Sequence, residues 1–183
     1  MKDLMNYLLA TPLQNEEIIT LFRQTFANSE GKEEGDMIAK LVSDFVSSPS
    51  KEDDLHVFVA TDETRIVGSI ILSRMHFPKG EDVFLLSPVA VATDCHGQGI
   101  GQTLINVGLA ALKAQGVAVV VTYGDINFYS KVGFAPICET QIQAPLTLSY
   151  PEGWIAQPLQ RDNIEPISGK PRCSAALNNP DYW

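Results

Sequence analysis

Residues 96–102, with the sequence HGQGIGQ, form the segment whose residue types and spacing most clearly suggest chemistry. Three of these residues are glycines, Gly97, Gly99 and Gly101; an apolar run precedes them and a helical pattern follows. Glycines in such a loop let successive backbone N–H groups converge, and the N-terminus of the next helix adds partial positive charge. The pattern indicates a site for an anion such as a pyrophosphate; a tight turn that only allows close packing is the alternative.

Two familiar phosphate-binding motifs do not fit this loop. A Walker A loop requires Gly-Lys followed by Ser or Thr, and a dinucleotide fingerprint requires a glycine at the position of Gln102. Asp125 stands roughly where an acid that binds a ribose would be expected. A dinucleotide-binding enzyme therefore stays open as one alternative interpretation.

Three segments together resemble the GCN5-related N-acetyltransferase (GNAT) superfamily. The loop is similar to the family motif Gln/Arg-x-x-Gly-x-Gly/Ala, with His96 in the first position and Gly99 and Gly101 at the glycine positions. Downstream, residues 127–134 (NFYSKVGF) resemble the family element F-Y-x-K-x-G-F, and upstream residues 86–91 (LSPVAV) resemble its splayed fourth strand. The resemblance covers residues 55–137 well.

The resemblance implies where acetyl-CoA, the co-substrate of the family, would bind. Its pantetheine arm would pair like an extra strand with Val89, Ala90 and Val91, where an N–H group would polarise the thioester carbonyl. The pyrophosphate would lie on the backbone of the loop, whose residues are His96, Gly97, Gln98, Gly99, Ile100, Gly101 and Gln102.

This loop departs from the family pattern at two side chains. His96 replaces Gln or Arg, and Gln98 is neutral where the family often has Lys or Arg. Backbone dipoles would therefore supply most of the attraction for a pyrophosphate. A histidine beside the phosphates would also make cofactor binding depend on pH, whereas an exposed neutral histidine would not.

The resemblance assigns a general acid for the reaction but does not identify the general base. Tyr129 matches the family tyrosine whose hydroxyl protonates the departing thiolate as a general acid, and its alternative is a core tyrosine with a satisfied hydroxyl. The base that accepts the proton of the amine is not identified, although Glu81 and Asp82 are candidates by family analogy. The other titratable side chains that stay open are His56, His76 and Asp125.

The function that the resemblance implies is that of an N-acetyltransferase, an acyltransferase that depends on acetyl-CoA. It would transfer acetyl to a primary amine of a small molecule or peptide by direct attack in a ternary complex. A noncatalytic acyl-CoA-binding regulatory module is the alternative from another class. A homodimer is a possible arrangement by family analogy, and Cys95 and Cys138 are expected to be buried structural thiols rather than acyl carriers.

The composition and charge of the chain argue against several kinds of partner and site. The chain has 183 residues, of which 45% are hydrophobic and 19% charged, with a net charge of -9. This charge argues against nucleic acid and anionic membranes as partners. Three widely spaced cysteines without a C-x-x-C pair indicate neither a disulfide framework nor a metal site. Without an apolar run near the roughly 18 residues of a membrane span, or a signal-peptide core, we expect a cytoplasmic protein.

Hydrophobic periodicity predicts the elements that would position these residues. Two helical patterns open the chain and are followed by two antiparallel strands, an apolar strand interrupted by Pro88, the glycine loop, a helix and a further strand. A short helix that Gly133 terminates and a strand entered at Phe134 would follow. In order, the regular patterns are 15–27, 37–46, 57–59, 66–72, 83–92, 100–116, 117–121 and 126–132.

This order predicts an α/β (α+β) class and an acyl-CoA N-acyltransferase fold. The sheet would be mixed, mainly antiparallel and twisted, with splayed fourth and fifth strands and flanking helices. Residues 1–138 would form the GNAT domain. Residues 139–183 hold six of the eleven prolines and would pack on the same domain as extended chain, with strand-like pieces at 146–150 and 154–159.

Overall fold

The structure is a computed structural model, which describes residues 4–183. Its strands are β1 (Asn6–Leu9), β2 (His56–Thr61), β3 (Ile66–Met75), β4 (Val83–Val91), β5 (Val119–Tyr123), β6 (Ala135–Pro136) and β7 (Trp154–Pro158). Its α-helices are α1 (Asn15–Glu30), α2 (Lys32–Ser47), α3 (Ile100–Ala114) and α4 (Ile126–Tyr129).

The strands form one sheet in the order β1-β2-β3-β4-β5-β7-β6. β4 and β5 are parallel, whereas β1 with β2, β5 with β7, and β6 with β7 are antiparallel. A parallel pair needs a crossover connection, and α3 supplies it between β4 and β5. The mixed sheet with its flanking helices confirms the predicted fold class.

The chain divides into two compact units. The described part of the first unit comprises residues 4–51, 55–71 and 88–108, and the second comprises residues 52–54, 72–87 and 109–183. The glycine loop belongs to the first unit, and Tyr129 belongs to the second. Residues 139–183 lie wholly in the second unit, and their separation from residues 1–138 as a segment of its own stays a prediction.

In the first unit, α1 and α2 approach each other closely. The buried face of α1 is apolar and consists of Ile18, Ile19, Leu21 and Phe22. A Cβ atom at Gly35 would lie 2.6 Å from the carbonyl oxygen of Arg23, so only glycine fits at this point of α2. The helical patterns were therefore correct, but α2 begins at Lys32, ahead of the predicted pattern at 37–46, so Gly35 lies inside the helix.

In the second unit, the proline-rich segment contributes core side chains. The indole N–H of Trp154 donates to the carbonyl of Ile142 at 2.8 Å, and that of Trp183 donates to the carbonyl of Leu177 at 2.9 Å. Both indoles are almost fully buried. Residues 154–158 form β7 as predicted, whereas residues 146–150 are irregular and the predicted strand there is wrong.

Candidate active site

The carboxyl end of β4 carries the first group of candidate residues. Parallel pairing with β5 runs from Val83 opposite Val119 to Leu86 opposite Thr122, whereas β4 itself continues to Val91. Pro88 follows the last pair after one residue and has no N–H to donate to a ladder. Pairing therefore stops before Val89–Val91, as a splayed strand pair requires.

The glycine loop between β4 and α3 presents its backbone to open space. Gly97 and Gly99 have φ angles of +77° and +76°, a region that favours glycine, and a Cβ atom at either would meet no other atom within 4 Å. The carbonyl of Gly99 accepts the backbone N–H and the hydroxyl of Thr103, each at 3.0 Å. Since the first N–H groups of a helix lack intrahelical partners, the start of α3 at Ile100 leaves donors for an anion.

His96 joins the beginning of the loop to the end of β4. Its Nε2 lies 2.7 Å from the carbonyl oxygen of Val91, and this nitrogen must carry a hydrogen because a carbonyl oxygen only accepts. The hydroxyl of Thr25 on α1 donates to the same carbonyl at 3.5 Å. The imidazole therefore makes a hydrogen bond within the first unit, although the side chain is exposed.

Local structure in the second unit holds Tyr129 at the end of α4. The carboxylate of Asp125 caps this helix by accepting the N–H of Asn127 at 2.9 Å, and the ring of Tyr129 packs edge-on against Phe128 and Phe134. Gly133 has a φ angle of +95° and ends the turn, as predicted from its position in the sequence. Asp125 therefore has a capping role.

The phenol of Tyr129 lies in a buried environment beside the side chain of Thr122. The hydroxyl of Thr122 donates to the carbonyl of Leu86 at 2.7 Å. Burial raises the pKa of Tyr129 to about 12, and the neighbouring Thr122 side chain lowers it by a smaller amount. The phenol is accordingly a protonated donor throughout the neutral range.

Two carboxylates were candidates for the base, and both precede β4 at its amino end. Asp82 forms an ion pair of 2.6 Å with Arg74, whose guanidinium also binds Asp54 at 2.9 Å and lies 4.7 Å from the ring centre of Phe84. Asp54 has a φ angle of +43°. Glu81 differs, because its Oε2 is buried without a hydrogen-bond partner. Asp82 is therefore already paired with Arg74, whereas the Oε2 atom of Glu81 has no hydrogen-bond partner.

The histidine candidate His76 and the cysteines are placed by other contacts. The Nε2 of His76 lies 2.7 Å from the carbonyl oxygen of Glu52 and donates to it. Cys95 is half-buried, but Cys138 is exposed, so the expectation of a buried thiol is wrong for Cys138.

Residues 4–183 contain no group of three or more His, Cys, Asp or Glu side chains that could hold a metal ion.

No helix within that same range is both long enough and apolar enough to span a bilayer.

Comparison with known proteins identifies the family from the sequence. Residues 53–136 match the family model of the acetyltransferase (GNAT) domain. The uncharacterized N-acetyltransferase YjhQ of Escherichia coli (strain K12) is 30% identical over 149 residues, which are 77% of this chain and 78% of that protein. The uncharacterized N-acetyltransferase YhbS of the same strain is 34% identical over 128 residues, covering 67% and 69%.

Solved structures show the same fold. The GNAT family N-acetyltransferase YhbS from Escherichia coli, in complex with CoA, has a TM-score of 0.83 at 24% identity and covers 98% of this chain and 94% of its own. A GNAT family acetyltransferase from Brucella melitensis, in complex with acetyl-CoA, has a TM-score of 0.71 at 22% identity and covers 96% and 99%. The identities to YjhQ and YhbS over most of both chains, with the sheet and loop described above, establish that the chain belongs to the GNAT family of acetyltransferases.

Proposed function

We propose that the protein transfers acetyl from acetyl-CoA to a primary amine of a small molecule or peptide by direct attack in a ternary complex. The amide C–N bond forms, the thioester C–S bond breaks, coenzyme A leaves as a thiol and the amine loses one proton. The observation that carries this proposal is the exposed glycine loop with positive φ angles between the end of β4 and the start of α3. The complexes of YhbS with CoA and of the Brucella melitensis relative with acetyl-CoA support it.

Backbone groups would hold the pyrophosphate. The loop has an open surface at Gly97 and Gly99, and the helix dipole of α3 adds partial positive charge at its N-terminus. Neither His96 nor Gln98 is a permanent cation, so binding would depend on the N–H groups. The proposed binding residues are His96, Gly97, Gln98, Gly99, Ile100, Gly101 and Gln102.

The end of β4 would hold the pantetheine arm. Val89, Ala90 and Val91 follow the last residue pair of the parallel register, so pairing with β5 does not use their backbone groups. An extended ligand binds such an edge as an added strand. The N–H of Val89 or its neighbour would then stabilise the oxyanion that forms on attack, a contribution of about 3 kcal/mol for one donor elsewhere.

Tyr129 would donate a hydrogen bond to the sulfur of the leaving group. Its pKa of about 12 in the free protein keeps the phenol protonated, as a donor requires. An ordinary thiol has a pKa of about 8.5, so complete proton transfer from such a phenol is uphill until ligand binding changes its environment. The attacking amine releases a proton in the same reaction, and the phenol oxygen can relay this proton to the thiolate.

The chain's charge supports a cationic acceptor. A net charge of -9 favours the approach of amines, which are positively charged in solution, over that of nucleic acids or anionic membranes. Neither Glu81 nor Asp82 is proposed as the base, because both precede the amino end of β4 whereas Val89–Val91 form its carboxyl end, and Asp82 is also paired with Arg74. A noncatalytic acyl-CoA-binding module would have no need for either a base or a phenol donor.

The test measures acceptor-dependent release of CoA thiol with a panel of amines. We expect wild-type turnover with at least one amine, and a fall of about a hundredfold or more for Tyr129→Phe with nearly unchanged acetyl-CoA affinity. Tyr150→Phe is the matched control, because Tyr150 is an exposed tyrosine of the same unit. Binding of acetyl-CoA without thiol release from any amine would favour the noncatalytic module, and thermal stabilisation by NAD alone would favour the dinucleotide-binding alternative.

A further inference from the structure

β1 lies at one edge of the sheet and pairs with β2 on its other side. The N–H of Ala10 donates to the carbonyl of Val57 at 2.8 Å, which continues the register that places Leu8 opposite Val59. Hydrogen-bonded and non-hydrogen-bonded pairs alternate along an antiparallel ladder. The main-chain groups of Tyr7 and Leu9 therefore point away from β2, towards the open edge.

The same short segment exposes a cluster of large apolar side chains. Leu4, Leu8, Leu9 and Leu13 are 69%, 54%, 61% and 97% exposed, and they are four of the five exposed large hydrophobic residues found within residues 4–183. Natural edge strands are usually protected by charges, proline or a bulge. β1 has neither a charged residue nor a proline, so it is an unprotected edge.

The distribution of charge indicates what can approach this edge. Residues 4–15 contain no charged residue, although the chain as a whole has 22 acidic residues and a net charge of -9. Two copies of so acidic a protein repel each other over most of their surfaces. The uncharged segment is where a second copy can approach with the least repulsion.

We propose that β1 pairs with β1 of a second copy of this chain in an antiparallel arrangement about a two-fold axis at Leu8. Tyr7 of each copy exchanges main-chain hydrogen bonds with Leu9 of the other, and the two Leu8 residues form the non-hydrogen-bonded pair on the axis. Cα atoms in such a pair are about 4.5 Å apart, so the leucine side chains are in contact. The contact is self-complementary, as a closed two-fold dimer requires.

The first experiment measures the mass of the full chain by light scattering and sedimentation over a range of concentrations. We expect twice the chain mass of 20.0 kDa at high concentration and dissociation on dilution. Leu8→Lys places two like charges on the axis and should give the single-chain mass, whereas the control Tyr150→Lys, at another exposed residue, should remain dimeric. A wild-type protein that stays monomeric, or a Leu8→Lys variant that stays dimeric, overturns the proposal.

The second experiment tests the register and does not depend on weakening the dimer. In a Cys138→Ser background, which removes the exposed native thiol, Leu8→Cys should form an intermolecular disulfide on mild oxidation. Asn6→Cys is the control, because its counterpart lies about four residues away along the paired strands, beyond the roughly 7 Å that a disulfide can bridge. Equal cross-linking of the two variants, or none with Leu8→Cys, overturns the proposed pairing. Neither outcome bears on acetyl transfer.

Discussion

The hydroxyl of Thr122 donates a hydrogen bond of 2.7 Å to the carbonyl oxygen of Leu86, and the same two residues form the last pair of the parallel register between β4 and β5. The side chain of this threonine also influences the pKa of the Tyr129 phenol. One buried threonine therefore connects the end of the strand pairing with the side chain that we propose as a donor to the leaving group.

Replacing Thr122 by valine should destabilise the protein. Valine has a similar shape but no hydroxyl, so the carbonyl of Leu86 loses this donor in a buried environment. We expect a loss of about 1–3 kcal/mol in the free energy of unfolding, measured by urea denaturation. Thr122→Ser keeps the hydroxyl and should lose less, and equal stability of the valine variant and wild type would contradict the bonding described here.

The raised pKa of Tyr129 predicts a loss of stability at alkaline pH. An unfolded tyrosine ionises near pH 10, whereas the folded phenol keeps its proton to about 12. The folded state therefore binds more protons between these values, and the free energy of unfolding falls as pH rises through that window. Tyr129→Phe should show a shallower fall, and ultraviolet titration should show one tyrosine fewer ionising near pH 12; an unchanged titration curve would refute the assignment.

Alanine at Gly99 should weaken acetyl-CoA binding beyond its effect on stability. Gly99 and Gly80 both have a φ angle of +76°, and a Cβ atom at either would meet nothing within 4 Å. Each alanine variant should therefore lose about 1 kcal/mol of stability from backbone strain. Only Gly99→Ala projects a methyl group from the proposed phosphate loop, so calorimetry should show at least a tenfold loss of affinity for Gly99→Ala and none for Gly80→Ala. Equal affinities would remove the loop from the binding site.

Cys138 should be the most reactive thiol of the protein. Its sulfur lies 2.7 Å from the hydroxyl of Thr140, and this hydrogen bond lowers the pKa of the thiol. Burial raises the pKa of both Cys95 and Cys173. Cys138 also lines a cavity of about 280 Å³ together with Leu148 and Pro151, so reagents have access to it.

Alkylation at about pH 7, followed by mass spectrometry, checks this order, because the thiolate is the reacting form. Thr140→Val removes the hydrogen bond and should slow labelling of Cys138 severalfold. Faster labelling of either half-buried cysteine in the wild-type protein would show that the hydrogen bond does not control reactivity.

The sequence was sufficient for the elements whose signals are local. The helical stripes of α1 and α3, the glycine loop and the turn at Gly133 each follow from residue types within about one turn or loop. β1 was missed, because its four residues show no alternation of burial and its partner β2 lies about 50 residues later in the chain. Long-range pairing of this kind leaves no signal in a short segment.

Two features of the candidate site depend on tertiary contacts and could not be read from the sequence. Thr122 stands in an apolar run that predicts only a buried strand, and its hydrogen bond with Leu86 depends on the register of β4 against β5. From the sequence, Asp82 is a plausible base. In the structure it is paired with Arg74, which lies eight residues earlier on the neighbouring strand β3. Which acidic and basic side chains pair between two segments depends on how the segments are aligned, and the sequence alone does not show this alignment.

Asp54 combines a backbone conformation that L-residues avoid with a carboxylate that binds Arg74. Asparagine at this position would keep the tolerance for that conformation and remove the charge, whereas glycine would remove the charge together with the steric restriction. The asparagine variant therefore reports the electrostatic contribution alone. The further difference between the asparagine and glycine variants measures the conformational contribution, so one position separates two effects that a single substitution would merge.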